Sequence, residues 1–243
     1  MKELLFIHIP KTAGSYVRQY NTKNKDVLGG IKTIGHGFLG ENGKYKKILP
    51  FKGLHHTHNM NIIPNDIIIF CNIRNLFSWF VSYAMHSGGW NPKYRDTNHY
   101  DYKNANKGVD YLIKKIAERD YDDYWPNRGM IHCQMFSDNG NFMLDWVNRV
   151  ENLDHNLNNL AKFSNRKYTK MEKVRVENIK NEDYKKYYDD KLISFVIDTW
   201  GFELDFLGYG FDKYNIDCDI NEKINNDVKN KYKYDFITKE IIK

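Results

Sequence analysis

The chain has 243 residues, and its 37 Lys and Arg residues against 31 Asp and Glu residues give a formal net charge of +6. This length suits one large domain with a sizeable core, because compact domains commonly reach about 250 residues before they split. The positive charge favours anionic ligands, but basic and acidic residues are interspersed along the chain, which argues against a nucleic-acid-binding arm. Cys71, Cys133 and Cys218 lie far apart, which argues against a zinc site and against a disulfide framework.

The amino-terminal segment carries the strongest functional signal. Residues 4–9 (LLFIHI) form a run typical of a strand buried on both faces, and Pro10 ends it. The small residues in 12–15 (TAGS) allow backbone N–H groups to point at an anion, and Ser15 can cap a helix whose positive end faces that anion. Lys11 lies in this loop, where its ammonium group can reach a phosphate oxygen. The order strand, loop, lysine and helix predicts a phosphate-binding loop.

The position of this strand also bears on targeting. Because the strand begins by about residue 3 and the loop follows at once, we expect neither a signal peptide nor a membrane anchor. The resulting expectation is a soluble, cytoplasmic protein with no membrane insertion.

A second buried strand is predicted at Asp66–Ile73 (DIIIFCNI), a continuous run of mostly β-branched and aromatic residues. Apolar residues then recur at helical spacing from Phe77 to His86. Arg74 therefore lies where a strand ends, and Ser82 lies about two turns into a helix. A planar guanidinium and a hydroxyl are suitable donors to one phosphate group.

Three of the nine histidines cluster in Gly53–His58 (GLHHTH), between these strands. Histidine titrates near neutral pH, so His56, His58 and His55 are candidates for a general base. A metal site and a purely structural cluster are the alternatives, although no carboxylate or cysteine lies within metal-ligand spacing. His8, beside the loop, is interpreted as a packed or loop-orienting residue.

The other predicted elements are less specific. A first helix is expected over residues 16–24, and a long polar loop region over the glycine-rich residues 29–43. A helix is expected to end near residues 134–136, before a turn over 138–141. Leu192, Val196 and Trp200 have the spacing of a core helix, and the polar, aromatic residues 87–125 suit either a sugar-binding cleft or ordinary surface packing.

The two strand-loop segments resemble the nucleotide motifs of a known family. His8–Ser15 (HIPKTAGS) is similar to the loop HIPKTAGTS of the sulfotransferases that use 3′-phosphoadenosine 5′-phosphosulfate (PAPS), whereas the P-loop signature G-x-x-x-x-G-K-[ST] is absent. Arg74 and Ser82 match the family's second motif, roughly IRNPxxRxxSxY. The chain departs from that motif at Leu76, in place of proline, and at Trp79, in place of the second arginine.

Three further segments match the family in its order, one of them between the two motifs and two after them. His56-Thr57 lines up with a GHxT-like element of bacterial carbohydrate sulfotransferases, and residues 183–211 are similar to the family's carboxy-terminal ending. The segment Q…vDfvgRfEnL is matched by Gln134, Asp145, Arg149, Glu151, Asn152 and Leu153. Arg149 and Glu151 either shape the floor of an active site or contact the acceptor, or they form a structural ion pair.

The resemblance implies a P-loop-like three-layer α/β/α fold with a central parallel sheet, in one sulfotransferase domain over residues 1–243. Residues 212–243 are then a Lys/Asn-rich carboxy-terminal extension. The implied reaction is in-line transfer of a sulfuryl group from PAPS to a hydroxyl acceptor, above all on a carbohydrate, with release of 3′-phosphoadenosine 5′-phosphate (PAP). No metal is needed, and no nucleic acid is a partner; the acceptor and the oligomeric state stay open.

The resemblance also implies a role for each site residue. Lys11 stabilises the charge that grows on the leaving 5′-phosphate oxygen, and His56, or else His58 or His55, takes the acceptor's proton. The residues that bind the nucleotide are Lys11, Thr12, Ala13, Gly14, Ser15, Arg74 and Ser82. Arg74 and Ser82 are those that grip the 3′-phosphate.

Two other classes of protein stay open from the sequence. A small-molecule kinase would use ATP and Mg²⁺ and would normally place an aspartate after a strand to hold the metal, but DIIIFCNIR has none at its end. A non-catalytic protein that binds a nucleotide or a glycan is the other alternative, and Leu76 and Trp79 are the departures that favour it.

Overall fold

The computed structural model describes residues 3–17, 31–34, 37–39, 45–47, 67–86, 105–118, 130–136, 140–168, 184–212, 221, 233–235 and 240–242. The strands are β1 (Glu3–Ile7), β2 (Ile31–Ile34), β3 (Gly37–Leu39), β4 (Tyr45–Lys47), β5 (Ile67–Ile73), β6 (Trp146–Arg149), β7 (Lys233–Asp235) and β8 (Glu240–Ile242). The α-helices are α1 (helical at residues 14–17), α2 (Leu76–His86), α3 (Ala105–Glu118), α4 (Leu153–Phe163) and α5 (Asp190–Leu207). None of the helices in these ranges has the length and apolar character needed to cross a lipid bilayer.

Contacts divide the chain into two compact units. The first comprises residues 1–73, 132–175 and 219–243, and the second comprises residues 74–131 and 176–218. The single domain expected over residues 1–243 stays a prediction.

A four-stranded parallel sheet is the framework of the first unit. Its strand order is β2-β1-β5-β6, and every neighbouring pair is parallel. The two central strands, β1 and β5, are the two apolar runs of the sequence, and continuous apolar runs are what strands covered on both faces require. The predicted α/β class with a parallel sheet is therefore confirmed.

One face of this sheet carries a buried apolar cluster of the first unit. Phe6 of β1 lies opposite Phe70 of β5, with ring centroids 5.1 Å apart, and Phe70 lies opposite Trp146 of β6. Leu157 and Leu160 of α4 belong to the same buried cluster. The helix α4 can cover this face because its apolar residues recur at intervals of three and four.

The second unit has an aromatic core formed by α2 and α5. Trp79, Phe80 and Trp200 are fully buried, and the rings of Phe80 and Trp200 lie 4.9 Å apart. Leu192 and Val196 are buried on the same helix as Trp200, so the predicted core face of this helix is confirmed.

Local signals fix both ends of α5. The Asp189 side chain accepts a hydrogen bond of 2.8 Å from the Leu192 N–H at the amino-terminal end. Gly208, at the carboxy-terminal end, has the left-handed conformation (φ 67°) that glycine adopts without strain.

Two predicted elements were wrong, and a third begins earlier than expected. The long polar loop over residues 29–43 contains β2 and β3, because strands of three or four residues between glycines are too short to give a clear periodic signal. The helix expected to end near residues 134–136 is a 3₁₀ turn at Cys133–Met135. Its three residues are buried, but they do not continue into a periodic helical run. The first helix begins near residue 14 rather than 16, because the Ala13 carbonyl already accepts the Tyr16 N–H.

Candidate functional site

The loop between β1 and α1 has an unusual backbone conformation. Lys11 and Ala13 have positive φ angles of 63° and 59°, although neither is glycine. This left-handed conformation is disfavoured for residues with a Cβ atom and is retained mainly where surrounding structure holds it, often at ligand sites. Turns that contain left-handed residues also form concavities of N–H groups that bind anions.

Thr12 anchors the loop between these two residues. It is fully buried, and its hydroxyl donates a hydrogen bond of 2.6 Å to the Ile9 carbonyl. Its own carbonyl accepts a hydrogen bond of 2.9 Å from Nδ2 of Asn72, a residue of β5. Thr12 is thus tied to the segment directly after β1 and to the neighbouring strand β5.

The helix α1 begins directly after the loop. The N–H groups of Tyr16 and Val17 donate to the Ala13 carbonyl at 3.0 and 3.3 Å. The first N–H groups of a helix have no partner within the helix, and the positive end of the helix dipole favours an anion there. The predicted sequence of strand, loop and helix is therefore present, with residues 11–15 together in it.

His8 lies against the loop from the side of β1. Its ring stacks on Phe6 with centroids 5.9 Å apart, and a Cβ atom at Gly14 would lie 1.9 Å from its Cδ2 and Nε2 atoms. His8 is thus a packed residue that contacts the loop, as the sequence suggested.

A chain of polar contacts continues from Asn72 across the carboxyl edge of the sheet. Asn148 of β6 lies opposite Asn72 in the strand register and donates from Nδ2 to its Oδ1 at 3.1 Å. The indole Nε1 of Trp146 donates to Oδ1 of Asn148 at 2.8 Å. Both asparagines are fully buried. Phe6, Phe70 and Trp146 form an apolar row across this face of the sheet. Two residues further towards the carboxyl ends of β5 and β6, the polar pair Asn72 and Asn148 follows.

The loop also occupies a favourable place in the sheet topology. The strands β2 and β5 lie on opposite sides of β1, so the direction in which strands are added reverses there. In open parallel sheets, ligands bind outside the carboxyl ends of the strands at such a switch point. The loop after β1 and the Asn72 side chain of β5 flank this position.

The second unit contains the other predicted phosphate ligands. Nε of Arg74 donates a hydrogen bond of 2.7 Å to the hydroxyl of Ser78, four residues on. Ser78 and Ser82 are both buried, at 5% and 2% exposure, and lie one turn apart on α2. Asn75 caps this helix by accepting the Phe77 N–H at 3.0 Å. Arg74, Ser78 and Ser82 thus follow one face of the start of α2.

Both departures from the family's second motif lie in the core of the second unit. Leu76 and Trp79 are fully buried, and the Trp79 indole stacks on Tyr83 with centroids 4.9 Å apart. An arginine at position 79 would bury its charge in this core, so the tryptophan suits the packing of this chain. Nothing in the structure explains leucine in place of proline at position 76.

Asp145, in the segment that is similar to Q…vDfvgRfEnL, has a structural role. Its N–H donates to the Ile69 carbonyl at 2.8 Å, and its carboxylate accepts the Ile69 N–H at 2.9 Å. The residue therefore continues the pairing of β5. Arg149, at the end of β6, is buried at 7% exposure, and its carbonyl accepts from Asn156 at 3.2 Å.

Burial raises the pKa of the Cys71 thiol in β5 well above its usual range. A thiol in this state is not a nucleophile at neutral pH. Within the described ranges, no three His, Cys, Asp or Glu residues lie close enough together to hold a metal ion.

The candidate general bases His55, His56 and His58 lie outside the described residues. The structure groups Lys11, Thr12, Ala13, Gly14 and Ser15 in the first unit, and Arg74 and Ser82 in the second. Sequence reasoning missed Asn72, Asn148 and Ser78. The signal at Asn72 was available, because a fully buried polar residue inside an apolar strand requires a hydrogen-bond partner.

Comparisons of the chain with protein-family models, with curated proteins and with solved structures found no match.

Proposed function

We propose that this protein is a sulfotransferase that moves a sulfuryl group from PAPS to a hydroxyl acceptor, with a carbohydrate as the preferred class of acceptor. The observation that carries the proposal is the loop after β1, in which Lys11 and Ala13 adopt left-handed conformations at the switch point of a parallel sheet. A P-loop-like three-layer fold and a single catalytic domain are part of the proposal.

In this mechanism the loop of residues 11–15 binds the 5′-phosphate of the donor. The acceptor oxygen attacks sulfur in line, the bond from sulfur to the 5′-phosphate oxygen breaks, and PAP leaves. The Lys11 ammonium and the loop N–H groups stabilise the charge that grows on the leaving oxygen. His56 takes the proton of the acceptor hydroxyl, with His58 and His55 as the alternative bases.

Arg74 binds the 3′-phosphate of the nucleotide in this proposal, together with Ser82. The hydrogen bond from Nε of Arg74 to Ser78 supports this role, because it fixes one edge of the guanidinium at 2.7 Å and limits the directions of the other donors. The buried hydroxyl of Ser82 lies one turn beyond Ser78 on the same helix.

Calorimetric titration with PAP and, in parallel, with ATP and Mg²⁺ tests the proposal. We expect the wild type to bind PAP in preference to ATP, and Lys11→Ala to bind PAP about tenfold more weakly. Lys162→Ala removes an exposed lysine from α4 of the same unit and is the matched control for the loss of charge. A preference for ATP would favour a kinase, and binding of neither nucleotide would favour a protein without this donor.

Turnover distinguishes a catalytic enzyme from a binding protein. Transfer of labelled sulfate from PAPS to a panel of glycans and simple phenols would identify the acceptor class. We expect Lys11→Ala to reduce kcat by about a hundredfold or more, beyond its effect on PAP affinity, because a leaving-group contact strengthens in the transition state. Equal losses in affinity and in turnover would remove the leaving-group role from Lys11.

A further inference from the structure

The amides of Asn72 and Asn148 have a single consistent orientation. The indole of Trp146 is a donor only, so the Asn148 atom that faces it must be the acceptor Oδ1. Nδ2 of Asn148 then faces Asn72, which must present its own Oδ1. The remaining Nδ2 of Asn72 faces the Thr12 carbonyl, which is an acceptor only. A donor at one end and an acceptor at the other thus fix both side chains.

The peptide that Asn72 holds joins Thr12 to Ala13, the second of the two left-handed residues of the loop. The carbonyl of Thr12 and the N–H of Ala13 belong to the same peptide group, and in a trans peptide they point in opposite directions. Since the Thr12 carbonyl is turned towards Asn72 at 2.9 Å, the Ala13 N–H is turned away from Asn72. The hydrogen bond therefore determines the direction of one N–H group in the loop.

We propose that Asn72 is a positioning residue of the phosphate loop, which holds the Thr12 carbonyl against the sheet and thereby turns the Ala13 N–H towards the bound phosphate. This inference rests on the proposed binding of a phosphate by residues 11–15. Asn72 does not touch the phosphate itself. Its contribution is to hold the loop in the binding conformation before the ligand arrives, which lowers the entropy that binding loses.

The burial of Asn72 and Asn148 supports a role in holding the loop over a role in ordinary core packing. A buried asparagine that lacks partners destabilises a fold, and apolar residues fill the other positions of this face of β5, such as Ile68 and Phe70. Asn72 interrupts that pattern at the row next to the loop. It contacts the loop segment in which Lys11 and Ala13 have the disfavoured conformation.

Two substitutions at position 72 test the hydrogen bond from Asn72 to the Thr12 carbonyl. Asn72→Leu removes the donor and adds no charge. Asn72→Asp can donate to the Thr12 carbonyl only while its carboxyl is protonated, a form that burial favours. The matched control is Asn156→Leu, which removes an asparagine that also donates to a strand-end carbonyl, that of Arg149 at 3.2 Å, but outside the loop.

The dissociation constant for PAP is measured by calorimetry between about pH 5 and about pH 8, a range in which a buried carboxyl can titrate. Each variant is compared with the wild type at the same pH, so that protonation of the ligand cancels. We expect Asn72→Leu to bind PAP about tenfold more weakly at every pH. Asn72→Asp is expected to stay within about twofold of the wild type at the low end of the range. It should bind PAP more weakly at any pH where the carboxyl ionises, because the carboxylate lacks the donor and adds a negative charge.

A folded Asn72→Leu that binds PAP as tightly as the wild type would overturn the positioning role. Thermal unfolding at each pH establishes which variants are folded. If the leucine variant does not fold, the aspartate variant decides the question, because its donor is present at low pH. An Asn72→Asp variant that already binds PAP about tenfold more weakly than the wild type at the low end of the pH range overturns the proposal, because the protonated carboxyl supplies the donor. Asn156→Leu is expected to bind PAP as tightly as the wild type. A loss of affinity equal to that of Asn72→Leu would also overturn the proposal.

Failure of the sulfotransferase proposal has a different signature. The same titrations are run with inorganic pyrophosphate. A wild type that binds pyrophosphate but not PAP would overturn the donor assignment, and the comparison at position 72 would then be made with pyrophosphate. A wild type that binds neither would overturn both proposals.

Discussion

A Cβ atom at Gly14 would lie 1.9 Å from both Cδ2 and Nε2 of His8, so the imidazole ring fills the space that any other side chain at position 14 would need. The φ angle of Gly14 is not positive, so other residues could adopt its backbone conformation. Glycine is required here because there is no space for a side chain. His8 is held in turn by its stacking on Phe6. The first turn of α1 therefore lies in close contact with the His8 ring, directly after β1.

Gly14→Ala should destabilise the protein by about 1–3 kcal/mol, because the His8 ring must move to admit the methyl group. Chemical denaturation measures the loss. The double variant His8→Ala/Gly14→Ala supplies the control, since removing the ring vacates the space, and it should be less destabilised than the sum of the two single variants. Simple additivity would show that the two residues do not compete for this space.

Ala13→Gly should stabilise the fold slightly. A left-handed alanine costs about 1–2 kcal/mol, while glycine adds about 0.5–1 kcal/mol of entropy to the unfolded chain, so the expected net gain is about 0.5–1 kcal/mol. Ala161→Gly, in the buried interior of α4, is the contrasting control and should be destabilising by about 1 kcal/mol or more. Loss of stability at both positions would contradict the left-handed conformation at Ala13.

Arg74→Ala should weaken PAP binding by about tenfold to a hundredfold, the worth of charged hydrogen bonds to a phosphate. Adenosine 5′-phosphate, which lacks the 3′-phosphate, should bind the variant and the wild type alike. Ser78→Ala should show a smaller loss with the same selectivity, because Ser78 accepts from Nε of Arg74. Lys114→Ala removes an exposed cation from the same unit and serves as the control. Equal losses for both nucleotides would remove the 3′-phosphate assignment.

Tyr168 gives the protein a predictable dependence on alkaline pH. Its hydroxyl and that of Tyr16 both donate to Oδ1 of Asp154, at 2.8 and 2.7 Å. Desolvation of the half-buried phenol, and then the hydrogen bond to Asp154, raise the pKa of Tyr168 above its usual range. The folded state thus holds this proton more tightly than the unfolded state. The associated stability is fully present below about pH 10 and is lost as the pH rises through the folded-state pKa.

Tyr168→Phe should therefore lower the free energy of unfolding by about 1 kcal/mol near neutral pH, the value of a lost hydrogen bond. The difference between variant and wild type should shrink above about pH 10. Urea unfolding at a series of pH values measures both effects. A difference that stays constant into the alkaline range would show that Tyr168 does not carry this proton linkage.

Local patterns were sufficient for the elements that bury a continuous apolar surface. The apolar runs predicted β1 and β5, and the spacing of Phe77 and Phe80 predicted α2 to within one residue of its start. The conformation of the loop was indicated only indirectly. Small residues at 12–15 allowed a tight turn, but the left-handed conformations fall on Lys11 and Ala13, which no local preference favours.

The amino-acid sequence by itself determined which segments form the central strands and the core helices, because the spacing of apolar residues within one segment decides which face it can bury. Tertiary structure alone decided the strand order, the short strands β2 and β3, and the contacts that support the loop. Asn72 lies 60 residues from Thr12 and 76 from Asn148 along the chain. Hydrogen bonds of this kind depend on which strands become neighbours and in which register, and both are set by the packing of the whole sheet.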